Sequence, residues 1–402
     1  MHAVTESFLA LLRSGLRGLP AEQGPELSTE QWRELFELAR VHKVLPLVFE
    51  PAYPALSQTD PALAASLKRQ VRQQVIVQTL QTAEFLELYQ ALAQSGITPL
   101  VVKGIVCRQL YPKPDHRPSA DEDLWISPEQ FSLCHEQMTR LGFFTTEPDP
   151  EHAWEIPYRK PGSPLYIELH KQLFSPGFST DAEFNEFFAD SISASVRQEV
   201  SGGAVQTMHP TDHMTYLLFH AFKHFLHSGF GVRQICDMLL FAHHHDGEID
   251  WERVLSSCRS IRAEKFAAAV FAVGFRHLGF GPIGPWDRSV DELPLLQDVL
   301  QAGIYGSSEH SRLHSSTITL EAASAQKSAP GGILAAAFPT AKNLEGRYPW
   351  LKKQPWLLPV AWVSRMGTYL LETKRRPDSS LVDALKIGTE RLELLRQYEI
   401  LK

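Results

Sequence analysis

This 402-residue chain is expected to fold as an α+β protein, a β-containing middle flanked on both sides by helical regions. Three observations predict it. Apolar residues recur at helical spacing before residue 96, short β-branched runs follow between residues 97 and 170, and helical spacing returns from Pro210 onward. A chain of this length exceeds the roughly 250 to 300 residues at which single cores stop growing, so more than one domain is expected. The divisions fall at residues 1–95, 96–209 and 210–402.

In chain order, Ser28-x-x-Gln31 reads as a capping box ahead of Trp32, Leu35, Phe36 and Ala39, which predicts an amphipathic helix ending near Pro46. Asp60-Pro61 supplies a cap and a first-turn proline for a long helix that carries Leu80, Phe85, Leu88 and Leu92 and stops before Gly96. The period then shortens. Ile97 to Val102 reads as a buried strand running into Lys103-Gly104, and Ile105 to Leu110 as a short helix broken by the turn from Tyr111 to Pro114. Asp121 to Ile126 reads as a second strand, and Ser127-Pro128 introduces a helix that ends before Gly142. Phe143 to Thr146 suggests a further strand, and the runs up to Arg159 and from Leu165 flank a Lys-Pro-Gly-Ser loop as a hairpin. Later breaks are expected at Gly247, at Leu278 to Pro285 and at Ser324 to Gly332, with a mobile loop between Gly306 and Gly332.

Composition narrows the function. A net charge of −7 argues against sequence-blind nucleic-acid binding, although eight Lys/Arg between Lys342 and Arg376 form a local basic stretch. The longest apolar runs fall short of the ~20 residues that span a bilayer, and the N-terminal residues carry no export signal. Four cysteines without Cys-x-x-Cys spacing argue against a zinc cage or a disulfide framework and suit a reducing, cytoplasmic setting.

The chemistry lies in the carboxylates. In an extended strand Asp121 and Asp123 point the same way, and in the later run Glu168 shares a face with Tyr166 and His170. Paired carboxylates repel, take up a proton or bind a cation, and hard oxygen ligands select Mg²⁺ or Mn²⁺. Three acids around divalent ions are what phosphoryl or nucleotidyl transfer requires. A lone Asp-x-Asp is more often what a solvated strand end or turn carries. Lys103-Gly104 adds to it a turn where a bare backbone and a cation can meet phosphate oxygens.

The run from Leu100 to Gly104, then Leu110-Tyr-Pro112, Arg117-Pro-Ser119 and Asp121-Glu-Asp-Leu124, resembles the signature of the uncharacterised nucleotidyltransferase family of the DNA polymerase β-like superfamily. Ile167 to His170 resembles its second acidic strand, and residues Leu217 to Leu240 and Arg347 to Arg365 resemble its later parts. The resemblance implies a minimal nucleotidyltransferase core with a mixed β-sheet, with metal held by Asp121, Asp123 and Glu168. Lys103-Gly104 stands where the superfamily usually has Gly-Ser, so Lys103 is expected to replace a serine in gripping phosphate. The activity implied is Mg²⁺-dependent transfer of a nucleoside monophosphate from a triphosphate such as ATP to an unidentified acceptor hydroxyl. A catalytically silent nucleotide-binding or interaction module of the same fold is the alternative.

Further nucleotide contacts are assigned by position. Arg117 and Ser119 precede the acidic strand, and Arg117 is placed to meet a phosphate or to pair with Asp121. His213, His220, His224 and His227 form one stripe of a helix, of which His220 and His224 are the candidates for phosphate or nucleotide contact. Arg233 and Asp237 stand four apart and are expected to pair on their helix. The triplet His243 to His245 points in three directions and reads as a helix end.

Overall fold

A computed structural model describes residues 3–21, 25–176, 183–227, 229–302, 350, 354–362, 364 and 391–401. The chain forms two compact units, Met1–Ala221 with Val232–Glu292, and Phe222–Gly231 with Leu293–Lys402. The α+β expectation holds, with a six-stranded mixed open sheet and many helices.

The first unit opens with four helices: α1 (Ala3–Leu16), α2 (Thr29–Val41), α3 (Leu45–Thr59) and α4 (Pro61–Gln94). Both arms of the Ser28 capping box form, so two otherwise unpaired N–H groups at the start of α2 are satisfied. Pro46 does not simply end that helix. It occupies the first turn of α3, where a missing N–H costs nothing, while α2 stops at Val41. Asp60 caps α4 through the Leu63 N–H at 2.9 Å, as the Asp-Pro signal requires.

The strands are β1 (Leu100–Val102), β2 (Glu122–Trp125), β3 (Glu155–Arg159), β4 (Tyr166–His170), β5 (Val196–Val200) and β6 (Gly203–Thr207), in spatial order β3-β4-β2-β1-β6-β5. β1 runs antiparallel to β2, β2 parallel to β4, and β1 parallel to β6. One face, with Val101, Leu124, Ile167, Leu169, Ile156 and Tyr158, packs on Phe85, Leu88 and Leu92 of α4 and on Phe131, Cys134 and Met138 of α6 (Phe131–Arg140). The opposite face therefore carries Asp123, Glu168 and His170. Between β1 and β2 the chain makes the short helix α5 (Gly104–Arg108).

Two expectations change. Phe143 to Thr146 forms no strand of the sheet, and only Phe144 bridges to Arg159, at the end of β3. The β5–β6 hairpin has no counterpart in the sequence reading. Arg197 and Glu199 face solvent on its outer strand, so its apolar alternation is weak, and β6 is recruited by pairing with β1.

After the sheet come α7 (Pro210–His227), α8 (Val232–His244), α9 (Trp251–Ser260), α10 (Glu264–His277) and α11 (Leu293–Ala302). The breaks read at Gly247 and at Leu278 to Pro285 fall between α8 and α9 and after α10. In the second unit Tyr398 accepts the Leu295 N–H on its hydroxyl at 3.2 Å, and Arg391 approaches Asp298 at 3.6 Å. The Gly306 to Gly332 interval and all eight basic residues of the Lys342 to Arg376 stretch lie outside the described residues. Among the described residues no helix is long and apolar enough to cross a membrane.

Candidate active site

Asp123 lies at the centre of the sheet, between Val102 of β1 and Glu168 of β4 in register. Facing pairs in neighbouring strands share a side, so the two carboxylates are brought together by the β2–β4 pairing itself. His170, two residues along β4, reaches back diagonally, and its Nε2 lies 3.0 Å from Asp123 Oδ1 and 4.0 Å from Glu168 Oε2.

The other Asp123 oxygen meets Lys103. Lys103 follows β1 at φ +54° and ψ −123°, a region L side chains rarely adopt. Its conformation is held from both sides: its N–H donates to His213 Nε2 at 3.1 Å, and its carbonyl accepts the Cys107 N–H at 3.0 Å. Its Nζ then stands 3.1 Å from Asp123 Oδ2 and 3.0 Å from His220 Nε2. Burial works against this ammonium, but Asp123, Tyr216, Asp121 and Glu168 outweigh it and hold its pKa well above the ordinary lysine value. His213 is buried and stays neutral, its pKa pushed down to about 3 chiefly by burial, with His245 and Lys103 nearby adding to it, which suits its acceptor role.

Gly104 serves a different neighbour from the one expected. A Cβ there would stand 2.0 Å from Glu122 Oε2, and the backbone has φ +29°. Glu122, on the core face of β2, accepts the Ile105 N–H at 2.7 Å and pairs with buried Arg108, which donates to Thr82 Oγ1 at 2.6 Å. The bare glycine thus lets the start of α5 close on a carboxylate of its own sheet. Gly104→Ala is expected to lower stability by about 2 to 3 kcal/mol, read as a shift in the urea midpoint at unchanged slope. A shift within ~0.5 kcal/mol would mean that Glu122 moves aside freely.

Asp123, Glu168 and His170 each offer one ligand atom, and these atoms lie within 4.8 Å of one another. The electrostatics fit a cation. Burial, followed by the charges of Asp123, Asp121 and Glu155, pushes the Glu168 carboxyl up to about 8. Asp123, although burial opposes its charge, is held down at about 2 by Lys103 and His170. One carboxyl forced toward protonation beside another kept ionised marks a field that a divalent ion relieves. Two carboxylates suit Mg²⁺ or Mn²⁺, and the imidazole shifts the set toward Mn²⁺ and other first-row ions.

The remaining sequence candidates divide. Asp121 precedes β2, is partly exposed, and acts on Lys103 and Glu168 through its charge; the clustered ligand atoms are those of Asp123, Glu168 and His170. His220 reaches the site through Lys103. His224 follows one turn later on α7, in the stretch that belongs to the second unit. Arg117 is turned elsewhere. Its fork is buried on Asp237, Nε to Oδ1 at 3.0 Å and NH2 to Oδ2 at 2.7 Å, and NH1 meets Ser119 Oγ at 2.5 Å. Ser119 in turn donates its N–H to Gln78 Oε1 at 2.6 Å. Asp237 therefore takes Arg117 and the Tyr111 hydroxyl, while Arg233 donates to the Pro118 carbonyl, so the expected Arg233–Asp237 helix pair gives way to a lock on the loop entering β2.

His170 is the site residue that sequence reasoning left without a role. The signal was its place on the Glu168 face; what was missing was the diagonal reach to Asp123.

The mixed sheet presents acidic side chains from two parallel neighbours, and Asp123, Glu168 and His170 there form a cluster that could bind a metal ion. A family model described as uncharacterised nucleotidyltransferase matches residues 28–279, and the chain belongs to that family. No curated protein and no solved structure matches the chain.

Proposed function

We propose that this protein transfers a nucleoside monophosphate from a nucleoside triphosphate, ATP among the candidates, to an acceptor hydroxyl. The acceptor oxygen forms a bond to the α-phosphorus, the bridging bond to the β-phosphate breaks, and pyrophosphate leaves. A bound Mg²⁺ or Mn²⁺ would supply Lewis-acid polarisation of the phosphate and charge for the leaving group. Asp123, Glu168 and His170 would hold it, Asp121 adds negative charge at the rim, and Glu168 takes the proton of the acceptor hydroxyl. Lys103 contributes a fixed positive charge to the phosphate side. The observation that carries the reading is the meeting of Asp123, Glu168 and His170 ligand atoms within 4.8 Å in a chain of this family. Four buried free cysteines support a reducing compartment, taken here as the cytoplasm.

The test is incubation of the purified protein and a cell extract with each α-labelled triphosphate and Mg²⁺ or Mn²⁺. A labelled product that depends on Asp123 and Glu168 is expected. Absence of labelling with all four, together with no triphosphate binding by calorimetry, leaves a catalytically silent interaction module as the reading.

A further inference from the structure

We propose that the Lys103 ammonium takes the place of a second metal ion, so that this site binds one divalent cation per chain. The inference rests on the metal-dependent transfer reading and deepens it. In a two-ion site a shared carboxylate offers one oxygen to each ion. Here the shared carboxylate is Asp123, and its oxygens are divided otherwise. Oδ1 faces His170 and the Glu168 side of the sheet, where the three ligand atoms cluster, while Oδ2 faces Lys103 Nζ at 3.1 Å.

Three features make this ammonium a fixture and not a mobile phosphate hook. An ammonium has three donors, and this one has three neighbours: Asp123 Oδ2, His220 Nε2 at 3.0 Å, and Tyr216, whose ring centroid lies 5.9 Å away. Its side chain is only 18% exposed, so leaving Asp123 would strand a buried carboxylate as well as a buried cation. Its backbone is locked at φ +54° by His213 and Cys107, which aims the side chain along the site face at a conformational cost that a flexible surface lysine would not bear. A resident unit charge beside Oδ2 repels any second ion at that oxygen. The first position, at Oδ1, stays available.

The experiment is a Mn²⁺ titration followed by electron paramagnetic resonance and by equilibrium dialysis, on Mn²⁺ alone and on Mn²⁺ with α,β-methylene-ATP. The wild-type chain should bind one Mn²⁺ with no Mn–Mn coupling under either condition. Lys103→Gly suits the positive φ and so keeps the turn. With the analogue it should bind two Mn²⁺ and show a coupled spectrum, and Lys103→Met, which keeps the bulk of the stem, serves as a second variant. Two coupled ions in the wild type would overturn the inference and leave the transfer reading standing. One ion in wild type and in both variants would also overturn it, because the lysine would then not be what limits the count. No Mn²⁺ binding at all would end both readings.

Discussion

Asp237→Ala is expected to cost about 3 to 5 kcal/mol of stability, although the residue touches no candidate metal ligand. Asp237 accepts both arms of the Arg117 guanidinium and the Tyr111 hydroxyl at 2.7 Å, all of them buried. Burial opposes its charge, but Arg117 and then Arg233 overcome this and hold its pKa below the ordinary value, so the carboxylate is ionised and paired. Truncation leaves a guanidinium in the interior with no counter-charge. The double variant Arg117→Met with Asp237→Leu should recover most of the loss, since an apolar pair of similar bulk removes both desolvation costs. Urea unfolding of the three variants measures this. A loss below about 1 kcal/mol for the single variant would show that Arg117 finds another partner, and would return it to the list of residues free to meet a phosphate.

The same pair shows where sequence reasoning stops. Arg117 precedes the acidic strand closely enough to invite a phosphate or Asp121 as partner, yet its counter-charge comes from a helix 120 residues away. Local signals carried further. The Ser28 box, the Asp60-Pro61 start and the strands around residues 100, 124 and 168 were all legible, because each is written in caps or period within a few residues. The β5–β6 hairpin was not, since Val196 to Val200 alternates polar, solvent-facing residues and becomes a sheet strand only through β6 and its partner β1. At the site, the faces of Asp123 and Glu168 were legible from strand geometry, whereas Asp121 precedes β2 and is not among the clustered ligand atoms. Which of these acids meet depended on the β2–β4 register, which sets Asp123 opposite Glu168 and brings His170 within reach. Gly104 was read as a place where phosphate oxygens come close; the group that approaches it in the structure is the Glu122 carboxylate.

Register also sets up the test that separates metal binding from stability. With its carboxyl pushed up to about 8 by burial and by Asp123, Asp121 and Glu155, Glu168 in the metal-free protein keeps a proton at pH 7 that the unfolded chain, with an ordinary value near 4.5, has released. Between those two pH values the folded state therefore binds more protons than the unfolded state, so stability falls as pH rises from about 4.5 to about 8 and levels off beyond. Glu168→Gln mimics the neutral acid. In the presence of a chelator it should raise stability at pH 7 to 8 by about 2 kcal/mol, discounted from the full linkage for the partial exposure of the side chain, and it should flatten this part of the pH profile. Added Mn²⁺ should reverse the order: the wild type gains stability as the ion binds, whereas the variant, short of one carboxylate ligand, gains little. Transfer of labelled nucleotide should fall by about 10³-fold in the variant, equivalent to ~4 kcal/mol of lost transition-state stabilisation. A variant less stable than wild type without metal would mean that Glu168 is ionised and satisfied in the free protein. Equal stabilisation of both by Mn²⁺ would remove Glu168 from the ligand set and leave Asp123 and His170 to be tested as its holders.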